Sequence, residues 1–519
     1  MAAILRVKQN GQWVEIPAIR GTTAYESAVA GGYTGTEEEF EELLSTLDTR
    51  LDTIESQQYH RYGVRWNKAL KTMTRVYDAA DITTTVTNFA HRGSINANYD
   101  NPFDSLYPWS QRRVVNTSLS KYAEYIGGSS IITTLEQCIE RELSDDDFDW
   151  TSEDGCPVDV YTPEFWFKFI ETEDYWELVI ADGPLPGYVH AHETLGGRWF
   201  GKYNSDTVPV SITGIPSVNV AMSTLHTNLK TIDMTCGNIF TYTYDTILQY
   251  VEYACLNTQG NVGSGDSESY LQSSYKCTEA STGTTIKVPT AVSNAAVVGV
   301  QVDLGTTDGA YNTARTYVTA VASGQLTVAE SVTVTTDTFV SLHGIINEVD
   351  SSDLGNASGY IGTSGKSHAY YRGRVSHGSR WQYILGAFRQ TATDKFWLAK
   401  TEAQCDQYDA LNTTEHLETE FALPTAGEHS AGGGDYVGGI AFLPSLPFLP
   451  LCTAGGGSSS APFGDYCYWP TSATGNTVAI AGGNASYGSR AGRSSFIWRN
   501  AASASYWDCA VLPFYKTRA

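Results

Sequence analysis

A chain of 519 residues is too long for one compact domain, and 41% hydrophobic with 12% aromatic residues supplies a real core, so a largely disordered protein is excluded. The formal net charge of −24, from 33 Lys and Arg against 57 Asp and Glu, argues against nucleic-acid and anionic-lipid partners, which need clustered cations. No apolar run reaches the ~18 residues of a membrane helix, so no membrane insertion is expected, and the opening MAAILRVKQNGQW lacks the apolar core of a signal peptide.

Only 17% of residues are charged, while Gly, Ser, Thr and Tyr abound, which suits loop-rich β structure with polar, adaptable surfaces. The nine cysteines are scattered and form no CxxC pair, so zinc-ribbon and thioredoxin-like chemistry is not expected. Mostly reduced, buried thiols are predicted. A pairing of Cys452 with Cys467, or of either with Cys509, stays open at this level.

In chain order, Ala3 to Ile19 alternate apolar and polar positions around Asn10-Gly11, which predicts a β-hairpin. Thr36 followed by Glu37, Glu38 and Glu39 reads as an N-cap with an acidic first turn. From there Phe40, Leu44, Leu47, Leu51 and Ile54 repeat at four and three, an a/d seam of about two heptads that is marginal alone. An ordinary amphipathic helix packed on its own domain is the alternative.

A β-rich body follows a linker near residues 56–65. It contains LYPWSQRRVVN (Leu106–Asn116), VDVYTPEFWFKFIETEDYWELVI (Val158–Ile180) and a helical stretch, Asp245–Gln259, with Ile247, Leu248, Val251 and Cys255 as its buried stripe. Between Thr284 and His343 the texture becomes Val- and Thr-rich alternation with almost no aromatics, which predicts an inserted β-module. Aromatics return at Tyr370–Phe388, and from Gly432 the chain is Gly- and Ser-rich, punctuated by Trp and Tyr.

Signals for chemistry are weak. The acidic run Ser144–Asp154 spaces Asp145, Asp147 and Asp149 like a calcium loop, but Trp150 stands where the turn needs Gly and Cys156 where the bidentate Glu belongs. His190 and His192 share one side of a strand, without a third or fourth metal ligand nearby. No GxSxG elbow is present, and AGGGSSSAPFGD lacks the GK[ST] ending of a phosphate cradle. Paired carboxylates for glycoside hydrolysis are spatial features and stay open. In the terminal stretch, by contrast, Tyr, Trp, Phe and Arg stand among Ser, Gly and Asn, the composition of binding hot spots. Core filling by Trp498 and Trp507 is the competing reading.

These residues carry three resemblances. The AYxxAVxGGYTGTEEEF pattern at Ala24–Phe40 resembles the N-terminal attachment segment of tail-fibre and baseplate proteins of phages infecting Firmicutes and other gut bacteria. NPFDSLYPWSQRRVVN, VYTPEFWFKF, LQYVEYACLNTQGNVG and YYRGRVSHGSRWQYILG are similar to phage structural proteins with a C-type-lectin-like domain of the formylglycine-generating-enzyme type, whose YRG matches Tyr371-Arg372-Gly373 with Trp381 after it. From GGIAFLPSLPFLPL to the end, the chain resembles the variable proteins of diversity-generating retroelements, whose last lectin strands and loops are hypervariable. Two departures matter: no catalytic cysteine arrangement maps onto Cys452, Cys467 or Cys509, and only Trp507-Asp508 matches a calcium-lectin segment.

The resemblances imply an α+β protein: a hairpin and short coiled-coil helix, then a large C-type-lectin-like domain with an inserted small β-module. Residues 1–57 would attach to the tail and trimerise, 58–283 and 344–519 would form the lectin-like body, and 284–343 the insert. The implied function is a receptor-binding adhesin of a virion tail, made in the host cytoplasm. It would act without catalysis, cofactor or metal, as a homotrimer bound to tail or baseplate proteins and to a host surface protein or glycan. Three copies on one axis would add avidity. The candidate ligand-binding residues are Ser486, Tyr487, Arg490, Arg493, Ser495, Phe496, Trp498, Arg499, Asn500, Ser503, Ser505, Tyr506 and Asp508. A structural tail-fibre or baseplate subunit, or a glycan-cleaving tail enzyme, are the alternatives.

Overall fold

The computed structural model describes residues 6–9, 12–15, 24–44, 59–84, 101–149, 154–191, 198–201, 220–257, 275–296, 301–307, 314–343, 369–406 (except 373, 379, 380 and 394), 412–418, 434–441, 451–468 (except 455, 456 and 459–461), 475–483, 490–505 and 509–516. Strands and helices are mixed and form several sheets, an α+β architecture. By internal contacts the chain divides into two units, residues 1–60 with 183–187, and residues 61–182 with 188–519.

In the first unit, strands Arg6–Gln9 and Gln12–Glu15 pair antiparallel with Gln9 opposite Gln12, as the Asn10-Gly11 signal predicts. A helix, Ala24–Ala30, ends at Gly31 and Gly32, where φ of +101° at Gly32 suits a residue without Cβ. The chain then returns through Tyr33, whose ring meets Tyr25 at 6.3 Å and Phe40 at 5.3 Å, while the Tyr25 hydroxyl donates to the Gly35 carbonyl at 2.9 Å. Thr36 caps the next helix, described over 37–44: its hydroxyl accepts from the Glu39 N–H at 3.2 Å, and Glu39 accepts from the Thr36 N–H at 2.7 Å. This reciprocal pair is a capping box. The AY…GGYTGTEEEF pattern is thus two short helices closed over an aromatic triad. Of the expected seam, Phe40 and Leu44 are half-buried in the helix; Leu47, Leu51 and Ile54 lie outside the described residues.

The second unit is organised around one helix, Ile239–Tyr253, every residue of which is buried. It starts earlier than the Asp245 start predicted from sequence, because Asn238 caps it, accepting from the N–H groups of Phe240 and Thr241 at 3.0 Å. It stops at Ala254, in the left-handed region, so Cys255 falls beyond its end. A helix buried all round must be covered by other elements. It packs against Tyr175–Ala181 and Arg61–Asn67, central strands of a five-stranded antiparallel sheet, and against Trp381–Gln390 of an eight-stranded sheet. A six-stranded sheet holds the C-terminal strand Pro513–Tyr515 between Met234–Cys236 and Arg198–Gly201. The tail of the chain is therefore an interior strand.

The Val- and Thr-rich segment forms its own five-stranded sheet, in the order Ser281–Lys287, Gln325–Val334, Ala314–Ala322, Gln301–Gly305 and Phe339–His343. Alternating Val, Leu and Ile residues, including Ile286, Val302, Leu326 and Leu342, fill a core cluster separate from that of the body. No helix among the described residues is long and apolar enough to cross a membrane.

Candidate functional site

The terminal segment is built on a buried polar framework. Asp245 and Glu252 are seven residues apart on the central helix, hence on one face of it. Asp245 pairs with Arg112 at 3.1 Å and with Arg374 at 2.5 Å, all three essentially inaccessible. Burial opposes ionisation of Asp245, but the two arginines outweigh it and hold its pKa below the ordinary carboxylate value. Burial likewise pulls Arg374 down to about 10, although Asp245 resists. Glu252 takes a two-pronged contact from Arg372, with both N···O distances 2.8 Å, and accepts from Tyr371 at 2.7 Å and Asn101 at 2.9 Å. Asn101, Arg112 and the Tyr371–Arg372 pair therefore serve the interior, where they join three parts of the chain to the helix.

Arg493 belongs to this interior. It is 1% exposed, donates to Thr246 Oγ1 and the Ser376 carbonyl at 3.0 Å, and lies over the Tyr242 ring. Ser495 is fully buried, its hydroxyl donating to the Tyr466 carbonyl at 2.7 Å. Phe496 and Trp498 point inward from the same strand edge, stacked at 5.9 Å, with Phe396 edge-on to Trp498 at 4.8 Å. These four residues were expected at the surface and are instead core. The strand period of two explains the aromatics: Phe496 and Trp498 face in, while Ile497 is half-buried and Arg499 is exposed.

The other candidates divide cleanly. Arg490, Arg499, Ser503 and Ser505 are exposed and Asn500 is half-buried. Ser486, Tyr487, Tyr506 and Asp508 lie outside the described residues. The exposed set thus decorates a segment whose interior side is fixed by Arg493, Ser495, Phe496 and Trp498.

Beside this set is an aromatic surface absent from the sequence-based candidates. Strand Gly434–Tyr436 is the last of the eight-stranded sheet and pairs with Tyr466–Tyr468, placing Tyr436 opposite Tyr466 and Gly434 opposite Tyr468. The Tyr436 and Tyr466 rings meet edge to face at 5.4 Å, and the Arg490 guanidinium lies 5.0 Å above the Tyr466 ring. Both tyrosines and Tyr468 are half-buried, whereas Cys467 between them is buried. A Cβ at Gly434 would fall 2.8 Å from both the Tyr466 and Tyr468 rings, so only glycine leaves room for them against the strand. The alternation Tyr-Cys-Tyr was the available signal; the cross-strand partner was not.

The remaining motifs are absorbed by structure. Arg141 binds Asp147 and Asp154, and Asp145 caps the Glu142 N–H at 2.8 Å, so the acidic run is spent on its own loop. His190 stacks on Trp166 at 4.7 Å and meets Glu164 at 3.0 Å; His192 lies outside the described residues. Cys467 and Cys509 are both free thiols, which rules out the disulfides left open above. Among the described residues no three His, Cys, Asp or Glu side chains gather as a metal set. A scan against models of known protein families finds no match, and a search of curated proteins finds none.

Proposed function

We propose that the chain is a bacteriophage tail adhesin, a homotrimer on the virion tail that binds a host surface receptor through its C-terminal surface and carries out no chemistry. In this reading the first unit attaches to tail or baseplate proteins and the body is a C-type-lectin-like domain. The observation that carries it is the division within the terminal segment. Arg493, Ser495, Phe496 and Trp498 are locked inside, whereas Arg490, Arg499, Ser503 and Ser505 stand exposed in an otherwise acidic chain. Such a segment tolerates change on its outer face without loss of the fold, which suits recognition of varied receptors. The AY…GGYTGTEEEF helices add support, because a closed aromatic triad with a capping box makes a compact terminal unit.

The test is binding of the labelled full chain to a panel of intact Gram-positive gut bacteria. Saturable binding to some strains is expected, reduced at least about tenfold (1.4 kcal/mol) when Arg490, Arg499, Ser503 and Ser505 are replaced together by Ala at unchanged melting temperature. Binding to no strain, or binding indifferent to the quadruple change, would move the assignment to a structural tail subunit.

A further inference from the structure

From the Tyr436–Tyr466–Arg490 surface we infer the chemical class of the ligand: a saccharide bearing an anionic group, carboxylate or phosphate. The inference rests on the adhesin reading and names what its C-terminal surface binds.

Three observations combine. The first is the shape of the aromatic surface. Tyr466 and Tyr468 flank a glycine, and Tyr436 stands edge-on to Tyr466, so three half-buried rings share one face of a sheet edge. Aromatic rings of this kind take up the C–H faces of sugars, while their hydroxyls reach polar neighbours. The second is the state of Arg490. Its guanidinium is held over the Tyr466 ring, its main-chain carbonyl accepts from the Tyr466 N–H at 3.1 Å, and the residue is exposed. A guanidinium set over a ring keeps its N–H donors for other groups, and its fork matches a carboxylate or phosphate with two parallel hydrogen bonds.

The third observation is the missing partner. Carboxylates outnumber cations here, 57 to 33; Arg65, Lys68 and Lys121 each hold one, and Arg113 and Arg141 hold two apiece. Arg490 forms no ion pair among the described residues. A cation set over an aromatic ring, exposed, and without a carboxylate among the described residues of so acidic a chain is a receptor for an anion from outside. The ring surface beside it makes that anion part of a sugar. A peptide carboxylate could use the same arginine and rings, and binding to a panel of polysaccharides separates the two.

The experiment uses the full chain on immobilised bacterial capsule and wall polysaccharides, each in three forms: native, with carboxylates reduced to alcohols, and with phosphodiesters removed by hydrofluoric acid. Binding is expected on acidic polymers only. Loss on carboxylate reduction identifies a uronic-acid type of ligand, and loss on phosphate removal a phosphorylated one. Arg490→Gln should weaken binding at least about tenfold and Arg490→Lys less, because lysine keeps the charge but not the fork. Tyr466→Ala should abolish binding while Tyr466→Phe retains most of it; if Tyr466→Ala does not fold, the arginine variants decide. Equal binding to reduced, neutral polymers, or full binding by Arg490→Gln, overturns the inference. Binding to cells but to no polysaccharide overturns it and leaves the adhesin reading standing on a protein receptor. Binding to neither removes both.

Discussion

Arg493 and Tyr242 hold each other by three contacts. The guanidinium carbon is 3.5 Å from the ring centroid, the Tyr242 hydroxyl donates to the Arg493 carbonyl at 2.8 Å, and the guanidinium donates to the Tyr242 carbonyl. The two residues are 251 positions apart, so this single arginine fastens the terminal segment to the central helix. The exposed residues around it inherit their positions from that attachment.

Replacing Arg493 by Ala should therefore behave as a core lesion. It strips donors from the buried carbonyls of Tyr242 and Ser376 and removes the cation from the ring, a loss of about 3 kcal/mol. Arg499→Ala, on the exposed side of the same segment, should stay within about 0.5 kcal/mol of the parent. Urea unfolding of the two variants tests the contrast; equal midpoints would show that Arg493 is not a structural anchor.

Glu252 is a second anchor on the same helix and holds Asn101, Tyr371 and Arg372. Glu252→Gln leaves the buried Arg372 guanidinium without its main counter-charge, though Asp104, 3.0 Å away, still compensates part of it. Breaking a buried pair from one side costs about 3–5 kcal/mol, so the lower end is expected here. Tyr371→Phe removes one hydrogen bond to the same carboxylate and should cost only about 1 kcal/mol. The order of the two melting temperatures is the readout, and its reversal would show that the arginine is not what Glu252 holds.

Local signals were legible in the sequence where neighbours along the chain supply the partner. Asn10-Gly11 marks the hairpin, Thr36 with Glu39 marks the capped helix, and Val-Thr alternation marks the separate β-module. The start of the central helix was not legible, because Ile239, Phe240, Thr241 and Tyr242 have little helical preference and depend on burial and on Asn238. Composition also misplaced Arg493, Phe496 and Trp498: arginine and aromatics among serines look alike in a binding surface and in a polar core. Tyr242, Thr246 and Ser376, the partners that place Arg493 in the core, lie far away in sequence. The Tyr436–Tyr466 pair needed a strand register that no local spacing encodes.

The thiols give a chemical check on burial. Cys138, Cys236, Cys277, Cys405, Cys467 and Cys509 are buried and free, and Cys156 and Cys255 are partly accessible. Burial pushes the Cys138 and Cys277 thiols up to about 11, which suppresses the reactive thiolate. In the folded chain a maleimide should label Cys156 and Cys255 well before any of the six. Peptide mapping after brief labelling decides this; early modification of Cys467 would mean that the terminal framework opens readily.

Asp465 should make stability fall as pH rises. The carboxyl is fully buried; one oxygen accepts from the Ser494 N–H at 2.7 Å, and the other has no hydrogen-bond partner among the described residues. Burial, only partly offset by Ser494 and Arg493, lifts its pKa to about 8. Asp159 is also raised by burial, to about 7, against the pull of Tyr515 and Thr117. An unfolded Asp ionises near ~3.9, so the fold prefers the neutral acids. Their stabilisation is complete below about pH 4 and drains as pH climbs toward 7 and 8, by up to about 1.4 kcal/mol per pH unit for each group. Asp245 and Asp406 have lowered values and act in the opposite sense, losing their contribution only in more acidic solution. Asp465→Asn keeps an acceptor for Ser494 and removes the ionisation. It should match the parent near about pH 4, exceed it in urea midpoint near about pH 8, and show a shallower pH slope between. A variant whose slope parallels the parent over the whole range would show that Asp465 does not titrate in the folded chain, and that the fall belongs to Asp159 alone.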